Sequence, residues 1–352
     1  MRIAQIAPLY ESVPPALYGG TERVVHYLTE ELVAQGHDVT LFASGDSQTS
    51  ATLVPMSEKA LRLGGGGGDQ MARHILMVEE VYRRAADFDL LHFHIDYLHF
   101  PTSARAGAAR VTTLHGRLDI PDLAPLYRTF ADEPVVSISD AQREPLSWAN
   151  WLGTVYHGLP SDLLPFQPRP GKYLAFLGRI SPEKRPDRAI ELARRTGIPL
   201  KMAAKVDDAD RVYYESVIKP LMDPGIVEFV GEITERDKGP FLGGALALLF
   251  LIDWPEPFGL VMIESMACGT PVVACRRGSV PEVIDEGESG RLVDDCDAAV
   301  VALRDIESFD RGACRRRFQE RFVASRMAGD YLRIYHRLAR GRTLAAARTA
   351  AG

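Results

Sequence analysis

The sequence is poor in cysteine and carries an excess of acidic residues. Its 352 residues include four cysteines, none of them in a Cys-x-x-Cys pair, so we expect reduced thiols rather than a disulfide framework or a zinc site. The formal net charge of −6 does not favour a nucleic-acid partner. No apolar run approaches the ~20 residues that cross a bilayer. We therefore expect a cytoplasmic protein.

Two familiar phosphate-binding patterns are also missing. The glycine run Gly64–Gly68 is not followed by Lys-Ser or Lys-Thr, so it predicts a flexible loop and not a phosphate loop. The pair Gly19-Gly20 follows the first apolar segment but is not part of a Gly-x-Gly-x-x-Gly pattern, so it argues little for a nicotinamide cofactor. Two glycines before a helix would still let a phosphate approach closely, although a simple turn with Thr21 capping the helix is the alternative.

Short apolar runs alternate with longer amphipathic segments, which indicates an α/β protein with parallel sheets. Ten strands are predicted, at 3–7, 39–43, 90–94, 111–114, 135–138, 173–177, 200–203, 227–230, 247–251 and 272–274. One helix is predicted from about Thr21 to Gln35, and others near Lys184, Asp208, Glu235, Gly259 and Asp295. The chain is long enough for two domains of Rossmann type.

A proline- and glycine-rich stretch at 158–172 cannot hold a regular element and marks the domain boundary. We expect an N-terminal domain over 1–157 and a C-terminal domain over 158–324. The last segment, about 325–345, is predicted to be helical and basic. Its arginines would suit contact with anionic lipid at the inner membrane face.

The most informative segment runs from Glu256 to Glu264. Prolines at 255 and 257 delay the start of a helix until about Gly259, where free backbone amides and the helix dipole favour an anion. The two glutamates should lie on the order of 10 Å apart. That is too far for a retaining glycosidase pair, but it suits the two ends of an elongated polar ligand.

This segment resembles the paired-glutamate motif of the retaining GT-B glycosyltransferases, in particular glycosyltransferase family 4, and the likeness continues to Val293. The resemblance implies two Rossmann-like domains whose parallel sheets face each other across a cleft. It also implies that the last helix, about 325–345, crosses back to complete the N-terminal domain, which is the alternative to contact with lipid. It implies that Glu256 contacts the donor sugar and Glu264 the nucleotide ribose. The diphosphate would lie on the backbone amides after Phe258, at Gly259 and Leu260.

The same resemblance assigns cationic and N-terminal contacts. Arg179 and Lys184, in Gly-Arg-Ile-Ser-Pro-Glu-Lys, match the element that holds the diphosphate and offsets the charge of the leaving group. Gly19 and Gly20 match the family's loop facing the diphosphate and the acceptor. His115 takes the place of a histidine that contacts the donor sugar. Taken alone, each of these residues also suits a solvated face, a turn or a strand end.

His92, His94, Asp96 and His99 are close in sequence, and His92 and His94 share one face of a strand. Because the family resembled here uses no bound metal for the transfer, we expect no metal site. Instead we expect one of this histidine pair in the core and the other lining the cleft.

Three departures from the family pattern are visible. The stretch 56–72 shows no clear family pattern, which leaves the acceptor open. Ala204 stands where relatives place a glycine near the nucleotide, which leaves the base open. His157-Gly158-Leu159-Pro160 replaces the more usual Asn-Gly-x-Asp, so the hinge or the acceptor side is expected to differ.

The function predicted is transfer of a hexosyl group, with retention, from a nucleotide-diphosphate sugar (UDP- or GDP-linked) to an acceptor hydroxyl, without cofactor or metal. The acceptor, a glycan, a lipid-linked molecule or a small molecule, is not specified by the sequence. A nucleotide-sugar epimerase or a phosphorylase on the same fold, and a non-catalytic binding protein, remain the alternatives.

Overall fold

The computed structural model describes residues 1–17, 19–62, 69–103 and 107–351, with side chains as far as residue 341. The chain forms two compact units. One comprises Met1–Gly158 and Ala324–Gly352, and the other Leu159–Val323. The glycine-rich loop predicted at Gly64–Gly68 lies outside the described residues.

The first unit is built on seven parallel strands in the order β3-β2-β1-β4-β5-β6-β7. The strands are β1 (Arg2–Ile6), β2 (Asp38–Ser44), β3 (Thr52–Ser57), β4 (Leu90–Phe93), β5 (Arg110–Thr113), β6 (Val135–Ser137) and β7 (Trp151–Thr154). The helices between them are α1 (Gly20–Ala34), α2 (Gln70–Arg83), α3 (Phe100–Ser103), α4 (Leu123–Thr129) and α5 (Asp140–Arg143). The strand order reverses between β1 and β4, and open α/β sheets bind ligands at such a switch point.

The second unit repeats this plan with six parallel strands in the order β10-β9-β8-β11-β12-β13. The strands are β8 (Leu174–Arg179), β9 (Leu200–Lys205), β10 (Val227–Gly231), β11 (Ala247–Phe250), β12 (Val272–Cys275) and β13 (Gly290–Val293). The helices are α6 (Pro186–Thr196), α7 (Arg211–Tyr213), α8 (Glu235–Gly243), α9 (Leu260–Ala267), α10 (Val280–Val283), α11 (Cys296–Ala302) and α12 (Arg311–Arg321). Here the order reverses between β8 and β11.

The final helix, α13 (Ala324–Ala351), returns to the first unit and packs against α1 and β4. Tyr331 and Tyr335 are fully buried there. The guanidinium group of Arg326 donates hydrogen bonds to the carbonyls of Tyr156 and His157, at 2.7 and 2.9 Å. One of the arginines considered for lipid contact is therefore used inside the unit. No helix in the described part of the chain combines the length and apolarity needed to cross a membrane.

The predicted fold class is confirmed, because both sheets are parallel and each is flanked by helices. All ten predicted strands are present, with ends shifted by one or two residues. Three strands escaped prediction: β3, β7 and β13. Each of the three lies at the edge of its sheet.

Candidate functional site

The switch point of the second unit brings together two of the predicted residues. Lys184 ends a short turn after β8, and Glu256 lies in the loop after β11, the neighbouring strand. The Lys184 Nζ atom donates a hydrogen bond to Glu256 Oε2. The ammonium group also lies 4.9 Å from the centroid of the Trp254 ring, a distance at which a cation is attracted to the π face.

The neighbours of Glu256 fix its side chain and its backbone. Trp254 Nε1 donates to the same Oε2 atom at 2.9 Å, and the Ser279 amide donates to the Glu256 carbonyl at 2.9 Å. At Gly278, with φ +52°, a Cβ atom would lie 2.4 Å from the Glu256 amide nitrogen. A glycine is therefore required there for the loop to close on Glu256.

Gly259 sets the start of α9. Its φ of +82° and ψ of 68° are left-handed, and it precedes the first helical residue, Leu260. The Phe258 carbonyl is held by the Ser279 hydroxyl at 2.8 Å. No side chain in the described chain caps the helix, so its first amides suit an anionic ligand.

Replacing Gly259 by alanine is expected to affect both folding and nucleotide binding. A left-handed alanine costs about 1–2 kcal/mol, and its Cβ atom would lie 2.8 Å from Met262 Cε and 3.1 Å from Phe250 Cζ, which adds about 1–3 kcal/mol of overpacking. Gly197 is the matched control, because its φ is also positive, at +71°, but a Cβ atom added there would have no neighbouring atom within 4 Å. Gly197→Ala should lower the free energy of unfolding by the conformational cost alone and leave nucleotide binding intact. Denaturant melts and calorimetry check this, and equal effects of the two variants would contradict it.

The buried carboxylate of Glu264 has a partner that sequence reasoning missed. Lys238, on α8, donates to Glu264 Oε1 at 2.6 Å and lies 3.4 Å from Glu235 Oε2. The side chains of Lys238 and Glu264 are 13% and 4% exposed. A lysine in the middle of a helix gives no sequence signal, because nothing in the spacing to Glu264 shows that α8 and α9 meet.

Arg179 and Lys184 have different acidic partners. Arg179 Nη2 donates to Glu183 Oε1 at 2.8 Å, and its other nitrogens lie 3.7 and 3.9 Å from carboxylate oxygens of Asp207 and Asp210. Its charge is therefore offset by three acids, whereas the charge of Lys184 is offset by Glu256. Arg179 is about one-third exposed, so it remains within reach of a ligand.

The predicted glycines of the first unit lie where the polypeptide enters α1. A Cβ atom on Gly19 would lie 2.7 Å from Pro15 Cβ, so packing against Pro15 already requires a glycine at this position. Gly20 begins the helix. The alternative of a Thr21 cap is wrong, because Thr21 lies inside the first turn and Gly19 is the capping residue without a side-chain bond.

His115 follows β5 and is partly buried. Its Nε2 atom lies 2.9 Å from His94 Nδ1, and its ring stacks on that of His157 with centroids 5.4 Å apart. Burial lowers the pKa of His115 to about 3, so the ring is neutral at physiological pH.

The three histidines of the 92–99 cluster, His92, His94 and His99, lie in the core of the first unit. His92 and His94 are both buried, so the prediction that one of them lines the cleft is wrong. His99 stacks on Phe93 with ring centroids 3.7 Å apart and bonds to Tyr82 and Thr112. Within the described residues, no three His, Cys, Asp or Glu side chains converge as metal ligands. All four cysteines are free, and burial raises the pKa of Cys268 and Cys314 to about 12.

Two family models match the chain. The one described as "Glycosyl transferases group 1" matches residues 166–321, and "Glycosyltransferase Family 4" matches residues 18–151. The two matches fall on the second and the first unit respectively, and together they cover most of the chain.

Two curated relatives and a solved structure are consistent with these family matches. The GDP-mannose-dependent alpha-(1-6)-phosphatidylinositol dimannoside mannosyltransferase of Mycobacterium tuberculosis is 29% identical over 94% of this chain and 95% of its own. The D-inositol 3-phosphate glycosyltransferase of Mycolicibacterium smegmatis is 31% identical over 44% of this chain, but the match spans only 34% of that protein. The Anabaena protein HepE, solved with UDP, shares the fold with a TM-score of 0.75 at 17% identity, over 95% of this chain and 99% of that one. The likeness to HepE shows the shared fold. The two family matches and the likeness to the mannosyltransferase over nearly its whole length show that the chain belongs to the family 4-like glycosyltransferases.

Proposed function

We propose that the protein is a retaining, metal-independent hexosyltransferase that binds its nucleotide-diphosphate sugar on the second unit. The observation that carries the proposal is the Lys184–Glu256 ion pair beside the uncapped start of α9 at Gly259. It offers a cation and free amides for a diphosphate next to a carboxylate for a sugar hydroxyl.

The proposed chemistry is displacement on the front face of the sugar. The bond from the anomeric carbon to the phosphate oxygen breaks while the bond to the acceptor oxygen forms. The acceptor proton passes to the departing phosphate oxygen, so no protein nucleophile or metal is required. Lys184, Arg179 and the amides at Gly259 and Leu260 stabilise the charge that develops on the leaving diphosphate. Glu256 and His115 orient the donor sugar, and Glu264 holds the ribose.

In this proposal the diphosphate competes with Glu183 for Arg179. Glu183→Gln should therefore tighten the binding of the nucleoside diphosphate by about two- to fivefold, the value of a partly exposed ion pair. Glu191→Gln is the matched control, because Glu191 pairs with Arg195 at 3.2 Å on the exposed face of α6. Calorimetric titration of both variants checks the expectation. Weaker binding by Glu183→Gln would show that the Arg179–Glu183 pair forms part of the binding-competent site.

Two similar proteins guide the choice of a candidate donor and a candidate acceptor. The tuberculosis relative is GDP-mannose-dependent and acts on a phosphatidylinositol dimannoside, and HepE was solved with UDP. We infer that the donor is GDP- or UDP-linked and that an acceptor with a sugar or inositol hydroxyl is suitable. Peripheral contact with an anionic membrane belongs to the same proposal, because a lipid-linked acceptor would be reached at a membrane surface.

Retention can be tested before the acceptor is known, with water in its place. Incubation with α-linked GDP-mannose, GDP-glucose and UDP-glucose, followed by proton NMR, should show the α anomer of one free sugar first. Initial release of the β anomer would contradict retention. An isomerised nucleotide sugar would indicate an epimerase, and turnover only with inorganic phosphate a phosphorylase. Binding of a donor without turnover under any condition would indicate a non-catalytic protein.

A further inference from the structure

A line of buried polar side chains crosses the switch point of the first unit. Tyr335 Oη lies 3.3 Å from Gln5 Nε2, Gln5 Oε1 lies 2.8 Å from His94 Nε2, and His94 Nδ1 lies 2.9 Å from His115 Nε2. We call these four residues the hydrogen-bond chain. Gln5, His94 and Tyr335 are at most 2% exposed. Such a line is costly to bury unless every member is satisfied.

The direction of the hydrogen-bond chain follows from its far end. Tyr335 Oη also lies 2.6 Å from His92 Nδ1, a separation typical of an O–H donor and short for an N–H donor. Tyr335 therefore donates its proton to His92 and can only accept from Gln5. The Gln5 amide nitrogen consequently faces Tyr335, and its carbonyl oxygen faces His94.

The orientation of Gln5 determines the tautomers of His94 and His115. Burial holds the pKa of His94 well below its ordinary value, so its ring is neutral and carries one proton. Because Gln5 Oε1 can only accept, that proton is on Nε2, and His94 Nδ1 is an acceptor. His115 must then donate from Nε2, which leaves its Nδ1 atom as an acceptor.

His115 Nδ1 is buried and has no hydrogen-bond partner among the residues that the structure describes. A buried acceptor without a hydrogen bond is destabilising unless a ligand or a water donates one to it. Protein atoms cover it in this structure, so a ligand hydroxyl must displace part of that cover.

We propose that Gln5 and His94 are positioning residues that fix His115 as a neutral hydrogen-bond acceptor for a substrate hydroxyl. The proposal rests on the proposed function, in which His115 contacts the donor sugar. It makes the contact directional: a sugar hydroxyl donates to Nδ1, and His115 transfers no proton itself. It also connects α13 to the site, because Tyr335 sets the direction of the hydrogen-bond chain.

The first test reads the protons directly on the ligand-free protein. Histidine rings labelled with ¹⁵N should show protonated Nε2 and unprotonated Nδ1 for both His94 and His115 in long-range nitrogen–proton correlation spectra, with His115→Gln used for assignment. A proton on His115 Nδ1 would overturn the proposal. This measurement is independent of turnover, so it stands even if no donor is used.

The second test asks whether the hydrogen-bond chain matters for transfer. His94→Leu removes the acceptor for His115 Nε2 and should lower kcat/KM by about tenfold to a hundredfold. His94→Asn places an amide oxygen near the position of Nδ1 and should restore much of the rate. If His94→Leu does not fold, the transfer rates of His94→Asn and Tyr335→Phe still test the positioning role.

Tyr335→Phe should lower the rate and mix the tautomers, because the Gln5 amide loses the group that orients it. Tyr82→Phe is the matched control. Tyr82 Oη lies 2.8 Å from Nδ1 of another buried histidine, His99, and neither residue hydrogen-bonds to a member of the hydrogen-bond chain or to His92. Unchanged transfer by both His94→Leu and Tyr335→Phe would overturn the positioning role. Absence of turnover by the unaltered protein would instead count against the proposed function.

Discussion

Lys184→Ala is expected to lower kcat/KM for the donor by about 10²- to 10³-fold, the usual cost of removing one group that stabilises a leaving oxyanion. The loss has a second cause, because the variant leaves the Glu256 carboxylate in a largely buried loop without its cation, and an uncompensated buried charge distorts its surroundings. Donor turnover and the thermal midpoint measure the two effects separately.

Lys201→Ala is the matched control for Lys184→Ala. Lys201 is also in the second unit and also joins an ion pair with an aromatic neighbour, Glu228 at 2.9 Å and the Tyr173 ring at 5.0 Å. Its pair is exposed, so its removal should change the free energy of unfolding by less than about 1 kcal/mol and leave turnover intact. A fully active Lys184→Ala protein with unchanged donor affinity would refute the assignment of Lys184 to the diphosphate.

Glu264→Gln is expected to weaken nucleoside diphosphate binding by about 100-fold. Two hydrogen bonds from ribose hydroxyls to a carboxylate contribute about 1.5–3 kcal/mol each, and a neutral amide retains part of that. Lys238→Met should weaken binding less, by about tenfold, because it removes only the group that holds Glu264 at 2.6 Å. Lys238→Arg should recover part of the loss.

The control for Glu264→Gln lies in the ligand. Inorganic pyrophosphate has no ribose, so its affinity should be the same for the unaltered protein and for Glu264→Gln. The 2′-deoxy nucleoside diphosphate should bind the unaltered protein more weakly than the ribonucleotide, and Glu264→Gln should remove most of that difference. Equal discrimination between ribose and deoxyribose in both proteins would show that Glu264 does not contact the sugar of the nucleotide.

Central strands were predictable from the sequence because parallel strands buried on both faces appear as continuous apolar runs. β11 is an example, with Ala247–Phe250 buried throughout. The three edge strands that escaped prediction lack that signal. β3 contains Pro55, the residues of β7 are all only partly buried, and β7 includes Gly153 with φ +154°. Their pairing is decided by the neighbouring strand and not by their own composition.

Candidate site residues could be named from the sequence where a motif is contiguous, but not where separate elements meet in space. Gly259 and Glu264 lie in one short segment, and the resemblance named both. Lys238, which holds Glu264, is brought there by the packing of α8 against α9, which no spacing reveals. Trp254, which hydrogen-bonds Glu256 from two residues away, lies in the same segment but outside the motif. The pairing of Arg179 with Glu183, and the line from Tyr335 to His115, likewise depend on the fold.

The central claim, that the second unit binds the nucleotide of a sugar donor, is tested most directly by calorimetric titration of the full chain with UDP, GDP and ADP, with NAD as a control. The account predicts that one nucleoside diphosphate binds clearly more tightly than the rest, and that Glu264→Gln weakens this binding by about 100-fold while Glu228→Gln does not. Binding of none of them, or binding that is indifferent to Glu264, would contradict the account.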